Sequence, residues 1–290
     1  MSDQDRQNTG QIQIYEVGPR DGLQNEPTQI PTDQKIALIN ALSQVGFSHI
    51  EATSFVSPKW VPQLGDAAAV MAGIDRMPGL TYAALTPNQR GFDDALAAGM
   101  NEVSIFAAAS EGFSQKNINA TIAESMVRFA PVAKAALANR VALRGYLSCA
   151  IACPYDGPMA PAQVAEVTDR LFDMGCYNVS LCDTIGTGVP DDVARMLDVV
   201  VPRFDGANLA GHYHDTDGHA IANVLRSLEY EIRIFDAAVA GLGGCPFAPG
   251  AKGNVDTAIL ARALHDAGWQ TGLNLETLDM AAEIVADLLR

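Results

Sequence analysis

Two histidines, His212 and His214, stand two positions apart at the end of an apolar run and are followed by Asp215 and Thr216. Side chains alternate along a strand, so the two imidazoles share one face. Two other polar clusters also end apolar runs: Gly18-Pro19-Arg20-Asp21-Gly22-Leu23-Gln24, and the glycine-rich stretch from Gly241 to Asn254. Asp21, His212, His214 and Asn254 together offer imidazole nitrogens and side-chain oxygens without a thiolate. That donor set suits Mg²⁺ or Mn²⁺ and accepts Co²⁺ or Zn²⁺. Such donors in an octahedral shell leave positions for substrate oxygens, which favours chelation of a hydroxy acid or hydroxy ketone. A lone buried histidine is more often a hydrogen-bonded core residue, but a same-face pair beside a carboxylate fits ligation better.

The neighbouring residues extend this chemistry. Arg20 directly precedes Asp21; it is either a surface arginine or, beside a metal ligand, a group that holds a developing oxyanion. Glu51 and Asp183 interrupt otherwise apolar strands, Ser48 to Ala52 and Ser180 to Thr184. A buried carboxylate is costly unless paired, so each is expected to pair with Arg20, to orient a ligand, or to form a structural ion pair. Cys245 lies in Gly241-Leu242-Gly243-Gly244-Cys245-Pro246-Phe247. A thiol on a glycine-rich loop over a metal site can deliver or remove a proton, whereas a packed cysteine is inert. The loop lacks the spacing and position of a dinucleotide fingerprint. Cys149 and Cys153 have no second cysteine pair to complete a zinc site and read as packing or pocket lining. His49, His219 and His265 read as structural or solvated.

The elements that must position these groups are legible as repeats. Ile36, Ile39, Leu42 and Val45 mark a helix face, Gly46 ends it, and a strand follows. The same order recurs around Gly99 and Gly175. Glycine just beyond a helix supplies the left-handed cap. Strands are expected at Ile12–Val17, His49–Thr53, Leu80–Leu85, Glu102–Ala107, Val141–Ser148, Tyr177–Cys182, Asn208–Tyr213 and Ile234–Ala240. Helices between them predict an α/β fold, a closed (β/α)8 TIM barrel with an additional C-terminal helix near Leu275–Leu289. An open doubly wound sheet is the alternative. Residues 1–10 read as a flexible tail and 11–290 as a single domain. In a barrel, the C-terminal strand ends gather distant residues at one mouth.

Composition limits the partners. The chain has 290 residues, with 19 Lys and Arg against 34 Asp and Glu, a net charge of −15. That argues against nucleic acid and anionic membranes, while Arg20, Lys59, Lys116, Arg144 and Lys252 could still make a locally basic site. Five scattered cysteines do not form a secreted disulfide framework, and no secretory start or membrane-spanning stretch is visible. A cytoplasmic protein is expected.

By these residues the chain resembles the hydroxymethylglutaryl-CoA lyase family, within a wider group of metal-dependent barrel lyases and synthases. The resemblance runs from Ile12 to about Asn254. It is anchored by Glu16 to Glu26, Ile50 to Lys59, Lys116-Asn117-Ile118-Asn119 and Gly241 to Phe247. It implies that Asp21, His212, His214 and Asn254 hold Mg²⁺ or Mn²⁺. It also implies that Arg20 stabilises an enolate oxygen, that Cys245 serves in acid–base chemistry, and that Glu51 and Asp183 support them. Arg20, Gln24, Lys116 and Asn117 would bind substrate, an acyl-CoA. The implied reaction, a step of leucine degradation, splits 3-hydroxy-3-methylglutaryl-CoA into acetyl-CoA and acetoacetate. A tertiary alcohol cannot be oxidised, but once deprotonated it can expel a thioester enolate; Asp183 or His212 is the expected base. A homo-oligomer, with a dimer favoured, is expected.

The chain departs from the family pattern at Lys252, Ala258, Ile259, Glu231 and Cys182. A citramalyl-like or longer branched 3-hydroxyacyl-CoA is therefore the alternative substrate. A condensing synthase is a rival, although Asp215-Thr216 replaces its usual Asn-Asp. A biotin-dependent carboxyltransferase and a catalytically dead scaffold barrel are further rivals.

Overall fold

The structure, a computed structural model, describes residues 10–243 and 253–289. Eight parallel strands close a barrel: β1 (Gln13–Glu16), β2 (His49–Ser54), β3 (Thr81–Leu85), β4 (Glu102–Ala108), β5 (Ala142–Ser148), β6 (Asn178–Asp183), β7 (Leu209–Tyr213) and β8 (Ile234–Ala237). They follow one another in chain order around the ring, and β8 pairs with β1 through Gln13–Ile234 to Glu16–Ala237. Closure excludes the open sheet. The expected strands all form, with ends shifted by a few residues. The largest shift is at β8, which stops at Ala237 because the chain bends into a short helical turn at Val239–Gly241.

The helices are α1 (Thr32–Ser43), α2 (Ala67–Gly73), α3 (Gln89–Ala97), α4 (Glu111–Ile118), α5 (Ile122–Asn139), α6 (Pro161–Asp173), α7 (Pro190–Val200), α8 (Ala220–Leu228), α9 (Thr257–Asp266) and α10 (Leu275–Leu288). Helix α10 is the expected extra element and packs on α1. Gly46, Gly99 and Gly175 all take positive φ, as their capping role requires. Helix α4 and a small hairpin, Ala152–Cys153 with Gly157–Pro158, were not foreseen. Among the described residues no helix is long and apolar enough to cross a membrane.

Strand alternation divides the barrel chemically. Ile14, Ile50, Val103, Ile105, Leu143, Leu147, Val179, Leu181 and Phe235 belong to the apolar core shared with the helices. The intervening residues point inward and are polar: Tyr15, Glu51, Glu102, Ser104, Arg144, Tyr146, Ser180, His212 and Asp236 are all buried. Hydrophobic burial between strands and helices therefore supplies the stability, and the lumen is free to carry charge. At its lower end Glu102 accepts from Tyr15 (2.6 Å) and Tyr177 (3.1 Å) and faces His49 Nε2 at 3.4 Å, so His49 is structural as expected. Cys149 and Cys153 pack with Ala108 and Phe113 in a small apolar cluster, also as expected.

Candidate active site

The chain leaves β1 in one wide helical turn, Gly18–Gly22, whose amides converge on a single carbonyl. Arg20 N–H, Asp21 N–H and Gly22 N–H all donate to Val17 O, at 3.1, 2.8 and 3.3 Å. This turn directs Arg20 and Asp21 over the lumen. The turn is anchored by Glu16, whose buried carboxylate accepts from Gly18 N–H (2.8 Å), Val239 N–H (2.9 Å) and Thr257 Oγ1 (2.7 Å). Gly243 approaches so closely that a Cβ there would lie 2.9 Å from Asn254 Nδ2.

Asp21, His212 and His214 each present a donor atom within 4.8 Å of the others. His212 Nε2 stands 4.0 Å from Asp21 Oδ2. His214 Nδ1 is buried and has no hydrogen-bond partner among the described residues, a state that carries a penalty unless something else satisfies it. Asn254 is strapped to this trio: its Nδ2 donates to Asp21 Oδ2 at 2.9 Å and to Leu242 O at 3.1 Å, and its backbone bridges His214. Gln24 Nε2 reaches Asp21 Oδ1 at 3.3 Å. Two imidazoles and a carboxylate this close together fit a divalent cation, which Asn254 would join through its amide oxygen.

The electrostatics agree. Burial pushes the Asp21 carboxyl up, but Arg20, His212 and His214 outweigh it and hold it well below the usual carboxylate range. Burial, and then the neighbouring His212, lower the His214 imidazole to about 4. Both groups therefore stand in their metal-binding protonation states at neutral pH.

Arg20 is clamped between carboxylates. Its Nε donates to Glu51 Oε2 at 2.6 Å, its Nη2 lies 2.5 Å from the same oxygen, and its Nη1 contacts Asp21 Oδ1 at 2.5 Å. Glu51 also accepts from Ser104 Oγ and Tyr146 OH, each at 3.0 Å. The guanidinium has more N–H groups than these contacts use, leaving donors for an oxygen above it. Glu51 is fully buried, so Glu51→Ala strands the Arg20 charge. The expected loss is about 3–5 kcal/mol of unfolding free energy, read by urea denaturation. A loss below about 1 kcal/mol would mean that the pair is not a buried clamp.

Of the roles open to Asp183, pairing with Arg20 is not the one the structure shows. It closes β6 one residue out of phase with the inward Ser180 and Cys182, so it does not reach Arg20. Its Oδ2 instead accepts from Gly188 N–H at 2.8 Å, while Oδ1 is buried without a partner among the described residues. Burial raises its carboxyl to about 6 against the opposing amides of Gly188, Gly186 and Thr187. Arg144 is a correction. It is wholly buried inside the lumen, bound to Asp236, Asn178 and Tyr146, and is not a free anion site. Lys116 and Asn117 are exposed on α4, beyond the end of β4. Cys245 and Lys252 lie outside the described residues. Glu16, Tyr146 and Asp236 were missed, although each is a polar residue in an apolar strand, the signal that identified Glu51.

Residues 11–285 match the family described as HMGL-like. The mitochondrial hydroxymethylglutaryl-CoA lyase of Macaca fascicularis is 52% identical over 279 residues, spanning 96% of this chain and 86% of that protein. The solved HMG-CoA lyase of Brucella melitensis superposes with a TM-score of 0.95 at 56% identity, covering 96% of this chain and 98% of that one. An HMG-CoA lyase from Acinetobacter baumannii, solved in complex with coenzyme A and 3-methylmalate, gives a TM-score of 0.91 at 38% identity. It covers 96% of this chain and 91% of that chain.

Proposed function

The chain belongs to the HMGL-like family, and on that premise we propose that it is a divalent-metal-dependent carbon–carbon lyase. Its substrate in this reading is 3-hydroxy-3-methylglutaryl-CoA, and its products are acetyl-CoA and acetoacetate. The observation that carries the reading is the cluster of Asp21, His212 and His214 donor atoms beside the clamped guanidinium of Arg20. Residues 11–290 act as one lyase domain.

Asp21, His212, His214 and Asn254 would hold Mg²⁺ or Mn²⁺. Such an ion, when bound, makes a hydroxyl more acidic and orients oxygen donors. The rest of the work falls to side chains. The hydroxyl proton goes to Asp183, which has a buried oxygen without a partner among the described residues; His212 has Nδ1 facing Asp236 and would spend its Nε2 lone pair on the ion. The electrons of that O–H bond form the new carbonyl, the adjacent carbon–carbon bond breaks, and its pair moves into a thioester enolate. The free N–H groups of Arg20 offset the enolate charge. Cys245 then protonates the enolate carbon, giving acetyl-CoA. Gln24, Lys116 and Asn117 bind the thioester, and the α4 residues suit the coenzyme because they stand clear of the barrel wall. A homodimer acting in the cytoplasm on carbon from leucine completes the reading.

Cys245→Ser is expected to lower kcat by about 10²-fold or more while leaving thioester binding nearly unchanged. Stopped-flow turnover and equilibrium binding of a non-cleavable thioester measure the two. Equal losses in both would reject proton transfer as its role. The substrate is tested by coupled detection of acetyl-CoA release across a panel of 3-hydroxyacyl thioesters with added Mg²⁺ or Mn²⁺. The 3-hydroxy-3-methylglutaryl thioester should give the highest kcat/KM. Faster release from a citramalyl or longer branched thioester would overturn the acyl assignment while keeping the reaction type.

A further inference from the structure

Asp236, on the inward face of β8, has no part in the chemistry described so far, yet it is fully engaged beneath the mouth. Its Oδ2 lies 3.1 Å from His212 Nδ1 and accepts from Ser180 Oγ at 2.7 Å, while its Oδ1 accepts from Arg144 Nη2 at 2.7 Å. Arg144 is locked in turn by Asn178 Oδ1 at 3.0 Å and donates to Tyr146 OH at 2.9 Å. Tyr146 OH donates to Glu51, the carboxylate that clamps Arg20. A continuous buried hydrogen-bonded path thus joins His212 to Arg20 below the site.

We propose that Asp236 is a positioning residue for the metal site: it fixes the ring orientation and proton position of His212, and Ser180 and Arg144 hold it there. This rests on the functional reading above. Asp236 is paired with the Arg144 guanidinium and already accepts from Arg144 Nη2 and Ser180 Oγ, so it accepts from His212 as well and the ring proton of His212 sits on Nδ1. The lone pair is then on Nε2, the nitrogen that faces Asp21 Oδ2 across 4.0 Å. Carboxylates behind metal-binding histidines act in this way generally, and losing one weakens metal affinity about 10–100-fold. Nothing else touches His212 Nδ1 among the described hydrogen bonds.

Asp236→Asn keeps the shape but lets an amide N–H face His212, which drives the ring proton to Nε2. Mn²⁺ binding, followed by electron paramagnetic resonance of the free ion, should weaken about 10–100-fold in this variant. Ser180→Ala, which removes one hydrogen bond to Asp236, should weaken it about fivefold. Thr168→Val, a buried substitution on α6 remote from the mouth, should bind Mn²⁺ as the parent does, which separates positioning from general destabilisation. A folded Asp236→Asn protein with parental Mn²⁺ affinity would overturn the inference. If that variant does not fold, parental affinity in Ser180→Ala overturns it instead. A parent protein that binds no Mn²⁺ would overturn the functional reading itself, and this inference with it.

Discussion

Asp21→Ala and His214→Ala are each expected to abolish measurable binding of Mg²⁺ and Mn²⁺ and, with it, thioester cleavage, while the barrel stays folded. The expected loss in metal affinity exceeds the roughly 10–100-fold seen when only a supporting residue is removed. Asp21 is the carboxylate of the donor cluster and is held ionised by three neighbouring positive or potentially positive groups. His214 contributes a buried Nδ1 that has no hydrogen-bond partner among the described residues. Neither residue belongs to the apolar core between strands and helices, so circular dichroism and the thermal midpoint should change little. Normal metal content in either purified variant would refute the ligand assignment.

Arg20→Lys is expected to reduce kcat by about 10²–10³-fold with a much smaller change in KM. Lysine keeps the charge but not the fork that spans Glu51 and Asp21 while leaving N–H groups free. It can replace the ion pair with Glu51 but cannot also direct donors at an enolate oxygen. The interaction lost is therefore one that strengthens as charge develops, and it should appear in turnover rather than in binding. Single-turnover kinetics with saturating substrate would measure it. A variant whose KM rises while kcat stays within a few-fold of the parent would show that Arg20 binds substrate and does no more.

Much of this arrangement is legible in the sequence because the ligands sit where polarity interrupts apolar runs. The i, i+2 spacing of His212 and His214 fixes a shared face whatever the rest of the chain does, and Gly46, Gly99 and Gly175 mark helix ends by their backbone freedom alone. Residues whose role depends on barrel closure are harder to see. Arg144 reads as a basic residue near the mouth, yet its position on β5 turns it into the lumen, where Asp236 from the far side of the ring meets it across 92 positions of sequence. The partner of Asp183 is hidden for a related reason. Strand parity turns its carboxylate toward the 186–188 loop, and only the folded loop provides the Gly188 amide. Glu16 gave the same signal as Glu51, but its partners, Val239 and Thr257, lie beyond β8 and come near it only when β8 pairs with β1.

The most direct test is anomalous diffraction at the manganese edge from crystals of the protein grown with Mn²⁺. One strong peak should stand between the Asp21 carboxylate, His212 Nε2, the His214 ring and the Asn254 amide, with Asp236 still bonded to His212 Nδ1. Well-ordered crystals with no peak there, or with manganese bound away from the two imidazoles, would contradict the account.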